Sequence, residues 1–433
     1  MAAAPNQSLP KQCGTWSDLK AAYGFLGHPD VTPELIQKTH RQQTREQCQE
    51  HLLVLAIEDT TELDFTGREV EGLGPIGDGG GQGILQHSTL AVMPDGHVLG
   101  VLHQIFRNRV PAPAEETRQQ RRARPRESDF WHESVEAIGS VGSNTRLVHV
   151  ADRGGDDFSM MVSCGNQGVG FLIRAQHDRC VNGNTDKLWS FMEGQAVVGH
   201  RDIPVPARGG HAERVARLAV RFSSLRLDPP KGDTRFEQSL SVWGVQVVEE
   251  RPPQGVEPIE WMLLTSEAVH HPDQACERVD WYACRWTIEE WHKAEKTGCR
   301  LEASQLKNAE AIQCLASFIA VIAVRMMQLR DLAQLATASP TQNPNASADR
   351  PEALRAAVPY SWLIVVAHLA RCRPEALTPR QFWLAIAKRG GFIGRKSDGL
   401  PGWQTIWRGW YDVMMMVQGV EMHRPQTNAE TYG

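Results

Sequence analysis

Two apolar runs, each closing on a carboxylate, constrain this chain more than any other feature. Residues 52–57 read LLVLAI and are followed at once by Glu58 and Asp59. Residues 147–151 read LVHVA and are followed by Asp152. A short, nearly continuous apolar run predicts a strand buried on both faces, as in a parallel sheet. An acid at the carboxyl end of such a strand stands where α/β folds gather their active sites. The same residue is as often a turn residue or a helix cap, and the two runs alone leave that choice open.

The neighbouring segments extend the sheet. STLAVMPDGHVLGVLHQIF (88–106) holds two alternating apolar runs joined by Pro94-Asp95-Gly96, a hairpin pattern. The sheet is therefore predicted to be mixed, with its first strands antiparallel. Residues 168–173 read as a further strand with Arg174 at its end, and EWMLLTSEAV (260–269) as a strand followed by a helix. Residues 181–259 carry short β-like runs separated by Gly, Pro, Asp and Lys, which predicts an antiparallel insertion. EGLGPIGDGGGQG (71–83) lacks the Gly-Lys-Ser/Thr of a nucleotide loop and reads as a mobile hairpin loop. Asp156 and Asp157 read as helix-start residues.

Residues 280–301, DWYACRWTIEEWHKAEKTGCRL, contain no Gly or Pro before Gly298 and predict one helix. At about 100° per residue, Trp281, Cys284, Ile288 and Trp291 form an apolar stripe. Tyr282, Arg285, Glu289 and Lys296 gather beside it, at same-face separations of 3, 4 and 7 residues. Glu290 points about 100° away from Glu289. Charge pattern alone would make this a surface helix whose Arg285, Glu289 and Lys293 form i,i+4 pairs. A Tyr and a Trp among the charges, and one acid flanked by Arg and Lys, suit phosphate handling instead: the acid holds a metal and the bases hold the anion.

Composition sets outer limits. The 433 residues suffice for two to three domains. A net charge of −5 means that any nucleic-acid contact comes from local basic patches. Two are visible: RQQRRARPRES (118–128), with five arginines, and the loop RGGFIGRKSDG (389–399). Nine scattered cysteines show no Cys-x-x-Cys or Cys/His spacing, so neither zinc nor a full disulfide framework is expected. Apolar runs such as CLASFIAVIAV (314–324) are too short to span a bilayer, and the N-terminus lacks signal-peptide character. Residues 1–15 read as loose. The segment from Trp16 reads as short helices, capped at Thr15 or Ser17 and again at Thr32 before Pro33. The region 308–332 reads as an apolar core helix, 334–353 as a linker rich in Ala, Ser, Pro and Asn, and the remainder as helical.

The spacing Tyr282-(2)-Arg285-(3)-Glu289-(6)-Lys296 resembles the signature of the insertion sequence four family of cut-and-paste DNA transposases. RWTIEEWHKAEKTG and EWMLLTSEAV are most similar to its transposon five branch, and the likeness runs from about Trp16 to Gln418. The resemblance implies a ribonuclease-H-like α/β (α+β) fold: a mixed sheet with helices, a β insertion before the helix of the catalytic Glu, and a helical C-terminal domain. It implies Asp59, Asp152 and Glu289 as catalytic acids holding two Mg²⁺ or Mn²⁺ ions. Tyr282, Arg285, Lys296 and Arg174 would contact DNA phosphate, Trp261 would hold a flipped base, and Trp286 and Lys293 are further DNA-binding candidates. The corresponding division is 1–50, residual DNA-binding region; 51–180 and 260–333, catalytic core; 181–259, β insertion; 334–357, linker; 358–433, dimerisation region. The partners implied are double-stranded DNA (transposon ends and target) and a second copy of the chain, with no membrane, in a bacterial cytoplasm. One departure is that the basic segment with which the family reads transposon ends is expected to be missing from this chain, either because the true start lies upstream of Met1 or because the chain is naturally short. That expectation leaves room for a DNA-binding, dimerising inhibitor of transposition; a ribonuclease-H-like nuclease without strand transfer is a further reading.

Overall fold

A computed structural model describes residues 7–110, 113, 115–117, 120, 124–183, 186–205, 214–230, 235–335, 350–395 and 401–423. The chain divides into two compact units. One comprises Lys38–Thr66 and Leu73–Glu289, and holds the sheet. The other comprises Met1–Gln37, Gly67–Gly72 and Glu290–Gly433, and is helical.

In the helical unit, α1 (Leu9–Cys13) and α2 (Trp16–Leu26) come first. α1 lies in a stretch expected to be loose; Pro10 in its first turn presets the helical φ. Thr15 caps α2 by accepting from the Asp18 N–H at 3.1 Å. α3 (Pro33–Cys48) starts after Thr32 as the sequence predicts, and continues into the sheet unit.

The sheet is built from β1 (Leu53–Asp64), β2 (Gly74–Ile76), β3 (Gly81–Val92) and β4 (Val98–Arg107), then, after α4 (Asp129–Ile138), β5 (Arg146–Ala151). α5 (Phe158–Asn166), β6 (Gly170–Arg174), β7 (Cys180–Val181), β8 (Asp186–Lys187) and α6 (Leu188–Glu193) follow. The insertion contributes β9 (Gly199–Val205), β10 (Arg214–Leu227) and β11 (Leu240–Glu249), before β12 (Glu260–Thr265). The strand order is β2-β3-β1-β5-β6-β12-β11-β10-β7-β8, with β4 on β3 and β9 on β10. β1, β5 and β6 pair in parallel and the other pairs are antiparallel, so the sheet is mixed, as expected of a ribonuclease-H-like fold. Leu55, Ile57, Val148, Val150 and Leu172 are fully buried, which accounts for the unbroken apolar runs.

Two expectations for this unit need correction. β1 does not stop at Ile57: its parallel partner ends there, but β3 continues to pair with β1 as far as Asp64. The glycine-rich segment is a hairpin as expected, but Gly74–Ile76 and Gly81–Gly83 are paired strand rather than loop. Gly83 lies opposite Asp64, and a Cβ on it would stand 2.1 Å from the Leu63 carbonyl oxygen. Glycine serves there for close strand approach, with the turn confined to residues 77–80.

α7 (Pro272–Ala283) and α8 (Trp286–Lys293) replace the single predicted helix. α7 begins earlier than expected, with His271 and Gln274 forming a capping box ahead of Pro272. The break comes at Cys284 and Arg285, where the Arg285, Thr287 and Ile288 N–H groups bond three residues back instead of four. After Lys293 the chain makes one π-helical turn, Ala294–Gly298, closed by Cys299 N–H on the Ala294 carbonyl. The predicted apolar stripe nevertheless holds: Ile288 and Trp291 are fully buried and Trp281 nearly so.

The rest of the helical unit is α9 (Ala309–Leu335), α10 (Pro351–Ala357), α11 (Tyr360–Ala370), α12 (Pro379–Arg389) and α13 (Trp403–Met422). α9 is the predicted apolar helix. By length and composition Ala309–Ala333 would be enough to cross a membrane, contrary to expectation, but 61% of its most apolar window is buried against the protein. α10 falls inside the predicted linker, whose residues 336–349 lie outside the described residues, as do Arg118, Arg121 and Arg122 of the arginine run and 396–399 of the C-terminal basic loop.

Candidate catalytic and nucleic-acid-binding site

Sheet register places four of the predicted residues on one face. Ile57 lies opposite Val150, and Val150 opposite Leu172; Leu263 lies opposite Arg174. Side chains alternate with period two along a strand. Asp59, Asp152 and Arg174 each follow one of those residues by two, and Trp261 precedes Leu263 by two. All four therefore share a face, on adjoining strands. Asp152 leaves β5 in extended conformation, and its carboxylate accepts from the Gly154 N–H at 2.7 Å.

α7 brings Tyr282 to this face. The Arg174 charge bears on the Tyr282 phenol, and Arg174 Nη2 donates to the Glu260 carbonyl at 2.8 Å. Trp261 packs edge-on against Tyr282 (4.7 Å between centroids) and Trp286 (6.3 Å). Trp261 is 5% exposed and Tyr282 3%, while Trp286 is half-buried. The Trp261 ring is thus sealed in an aromatic cluster here. Across the helix break, Arg285 Nη2 donates to Glu289 Oε1 at 2.7 Å, the i,i+4 pair expected from spacing.

The electrostatics join the acids. Asp59 is pushed up to about 7, first by burial and then by the charge of Asp152, with Glu289 adding and Arg285 opposing. Tyr282 is raised by burial, with Asp152 adding and the Arg285 and Arg174 charges opposing. Asp59 thus feels the charges of Asp152, Glu289 and Arg285. Among the described residues, no three His, Cys, Asp or Glu side chains close into a ready ligand set, and Glu289 is engaged by Arg285. Carboxylate donors of this kind suit a hard divalent cation.

Lys293 and Lys296 belong to the helical unit. Lys293 pairs with Glu290 at 2.5 Å, whereas Glu289 pairs with Arg285. Glu290 also accepts from Trp403 Nε1 at 2.9 Å. Lys296 sits on the π turn, 3.6 Å from Glu302.

The predicted patches are partly engaged by protein. Arg124 pairs with Glu116 at 3.5 Å and Arg389 with Asp412 at 3.5 Å. Asp157 caps α5 as expected, accepting from the Ser159 N–H at 2.6 Å. Asp156 does not: it binds the Gln176 and His177 N–H groups and the Arg179 guanidinium.

Both ends of the chain match transposase families. Residues 377–431 match the family described as Transposase Tn5 dimerisation domain, and residues 1–31 match that described as Transposase DNA-binding. The two matches support a Tn5-like transposase that binds DNA and forms a homodimer. The end-reading segment was expected to be missing, with 1–50 a residual DNA-binding region; residues 1–31 match a DNA-binding family. Neither matched segment contains Asp59, Asp152 or Glu289.

Sequence reasoning passed over one group beside the site. Glu58, His87 and His149 form a fully buried cluster on the opposite face of the sheet. The signal was available: a histidine inside the apolar run of β5, and a second acid beside Asp59 in β1.

Proposed function

We propose that this chain is a cut-and-paste transposase of the insertion sequence four type, with Asp59, Asp152 and Glu289 as its catalytic acids. What supports the reading is that Asp59 and Asp152 share a sheet face on adjacent strands, and that the charges of Asp152, Glu289 and Arg285 all bear on Asp59. Asp59 and Asp152 would hold divalent ions from adjacent strands, and Glu289 would complete the set from α8. Two bound Mg²⁺ or Mn²⁺ ions would supply an activated water and stabilise the leaving 3′ oxygen of a phosphodiester.

The remaining roles belong to the cations and aromatics. Arg285 holds Glu289 by an ion pair and presents the rest of its fork to a DNA phosphate. Arg174, braced by the Glu260 carbonyl, is aimed at the same backbone. Lys293 and Lys296, which follow Glu289 in the chain, are further candidates for contact with DNA phosphate. Trp261, with Trp286 beside it, would receive an extruded base only when the aromatic cluster opens.

Glu289→Gln tests the reading. With terminal-repeat DNA and Mg²⁺, nicking is expected to fall by at least about a hundredfold while gel-shift affinity is retained. Undiminished nicking removes the assignment. Nicking without joining of the freed 3′ end to target DNA would favour a nuclease, and absence of nicking by the unaltered protein would favour an inhibitor.

A further inference from the structure

Residues 58 and 59 offer the sheet two adjacent carboxylates, and only one of them can face α7. Glu58 points the other way and is fully buried together with His87 and His149. Its Oε1 is hydrogen-bonded to His149 Nδ1, and its Oε2 lies 3.4 Å from His87 Nε2. His87 Nδ1 in turn lies 2.8 Å from Thr60 Oγ1. Trp131 and Phe130 of α4 close over His87, with centroid distances of 4.8 Å and 5.5 Å. The cluster spans β3, β1 and β5, the last two being the strands that carry Asp59 and precede Asp152.

Hydrophobic pattern cannot make this choice. A one-residue slip of β1 against β5 would exchange the faces of every side chain. It would leave an acid at the catalytic face, Glu58 in place of Asp59, with a longer arm. A buried ion pair adds little net stability, because desolvation offsets the attraction; its best-attested use is to fix register. We propose that His87 and His149 are positioning residues, which draw Glu58 to the back of the sheet and thereby fix the register that presents Asp59 beside Asp152 to a divalent ion. This rests on the metal-ion reading of the two aspartates.

Mn²⁺ binding to the full-length protein, followed by the electron-paramagnetic signal of free Mn²⁺, tests both and separates them. If Asp152→Asn leaves Mn²⁺ affinity unchanged, the metal-ion reading itself fails. If Asp152→Asn weakens it, the register inference is tested by His149→Leu, which leaves Glu58 buried without its closest partner. That variant is expected to lose about tenfold or more in Mn²⁺ affinity. Adding Glu58→Leu removes the stranded charge and is expected to restore most of the loss, which loss of local packing would not allow. Unchanged affinity in folded His149→Leu, or a double variant as weak as the single, overturns the inference. Should His149→Leu fail to fold, His87→Gln with and without Glu58→Leu is read in the same way.

Discussion

Asp59 is the residue whose protonation is most open to measurement. Burial and the neighbouring Asp152 hold its carboxyl at about 7, above the ordinary value of 3.8. A folded-state value above the unfolded one means that the protonated form stabilises the fold. That contribution is complete below about pH 4 and disappears as the pH rises through about 7. The metal-free protein is therefore expected to lose stability between these limits, by at most about 4 kcal/mol from this group. Thermal melts of Asp59→Asn should show a flatter pH dependence across that window. Added Mn²⁺ should recover the unaltered protein near pH 8, because it favours the ionised carboxylate. Equal pH slopes for the two proteins would show that Asp59 is not the group concerned.

Among the elements, strands were easier to read than helices. β1, β5, β6 and β12 were legible because a strand buried on both faces leaves an uninterrupted apolar run, and their acids and Arg174 stand where that run ends. Register was not legible, since period two fixes alternation but not which neighbour lies opposite. The break between α7 and α8 was missed because Cys284 and Arg285 are ordinary helix residues; a switch of three hydrogen bonds from four-back to three-back has no compositional mark. The glycine-rich segment was misread for the opposite reason. Gly83 looks like loop punctuation, but it is a strand residue pressed against the Leu63 carbonyl. Gly83→Ala is expected to cost about 1–3 kcal/mol, read as a lowered denaturant midpoint, since the Leu63 carbonyl and the Ile76 side chain must both move. A neutral Gly83→Ala would mean that the β1–β3 edge yields more easily than this packing implies.

For the molecule as a whole, the nine cysteines are all free thiols. Alkylation of the denatured protein without reductant is expected to label nine sites per chain, and reductant should leave the melting temperature unchanged. Fewer labels would mean a disulfide. The matches at residues 1–31 and 377–431 predict that the protein sediments as a dimer on DNA, and a monomer at saturating DNA would count against them. The chain passes between its two units four times, after Gln37, Thr66, Gly72 and Glu289. A hybrid that borrowed the helical unit from another protein would therefore need four splices. The last would fall on the peptide bond immediately after the proposed third metal ligand, so the helical unit cannot be exchanged without cutting beside the proposed chemistry.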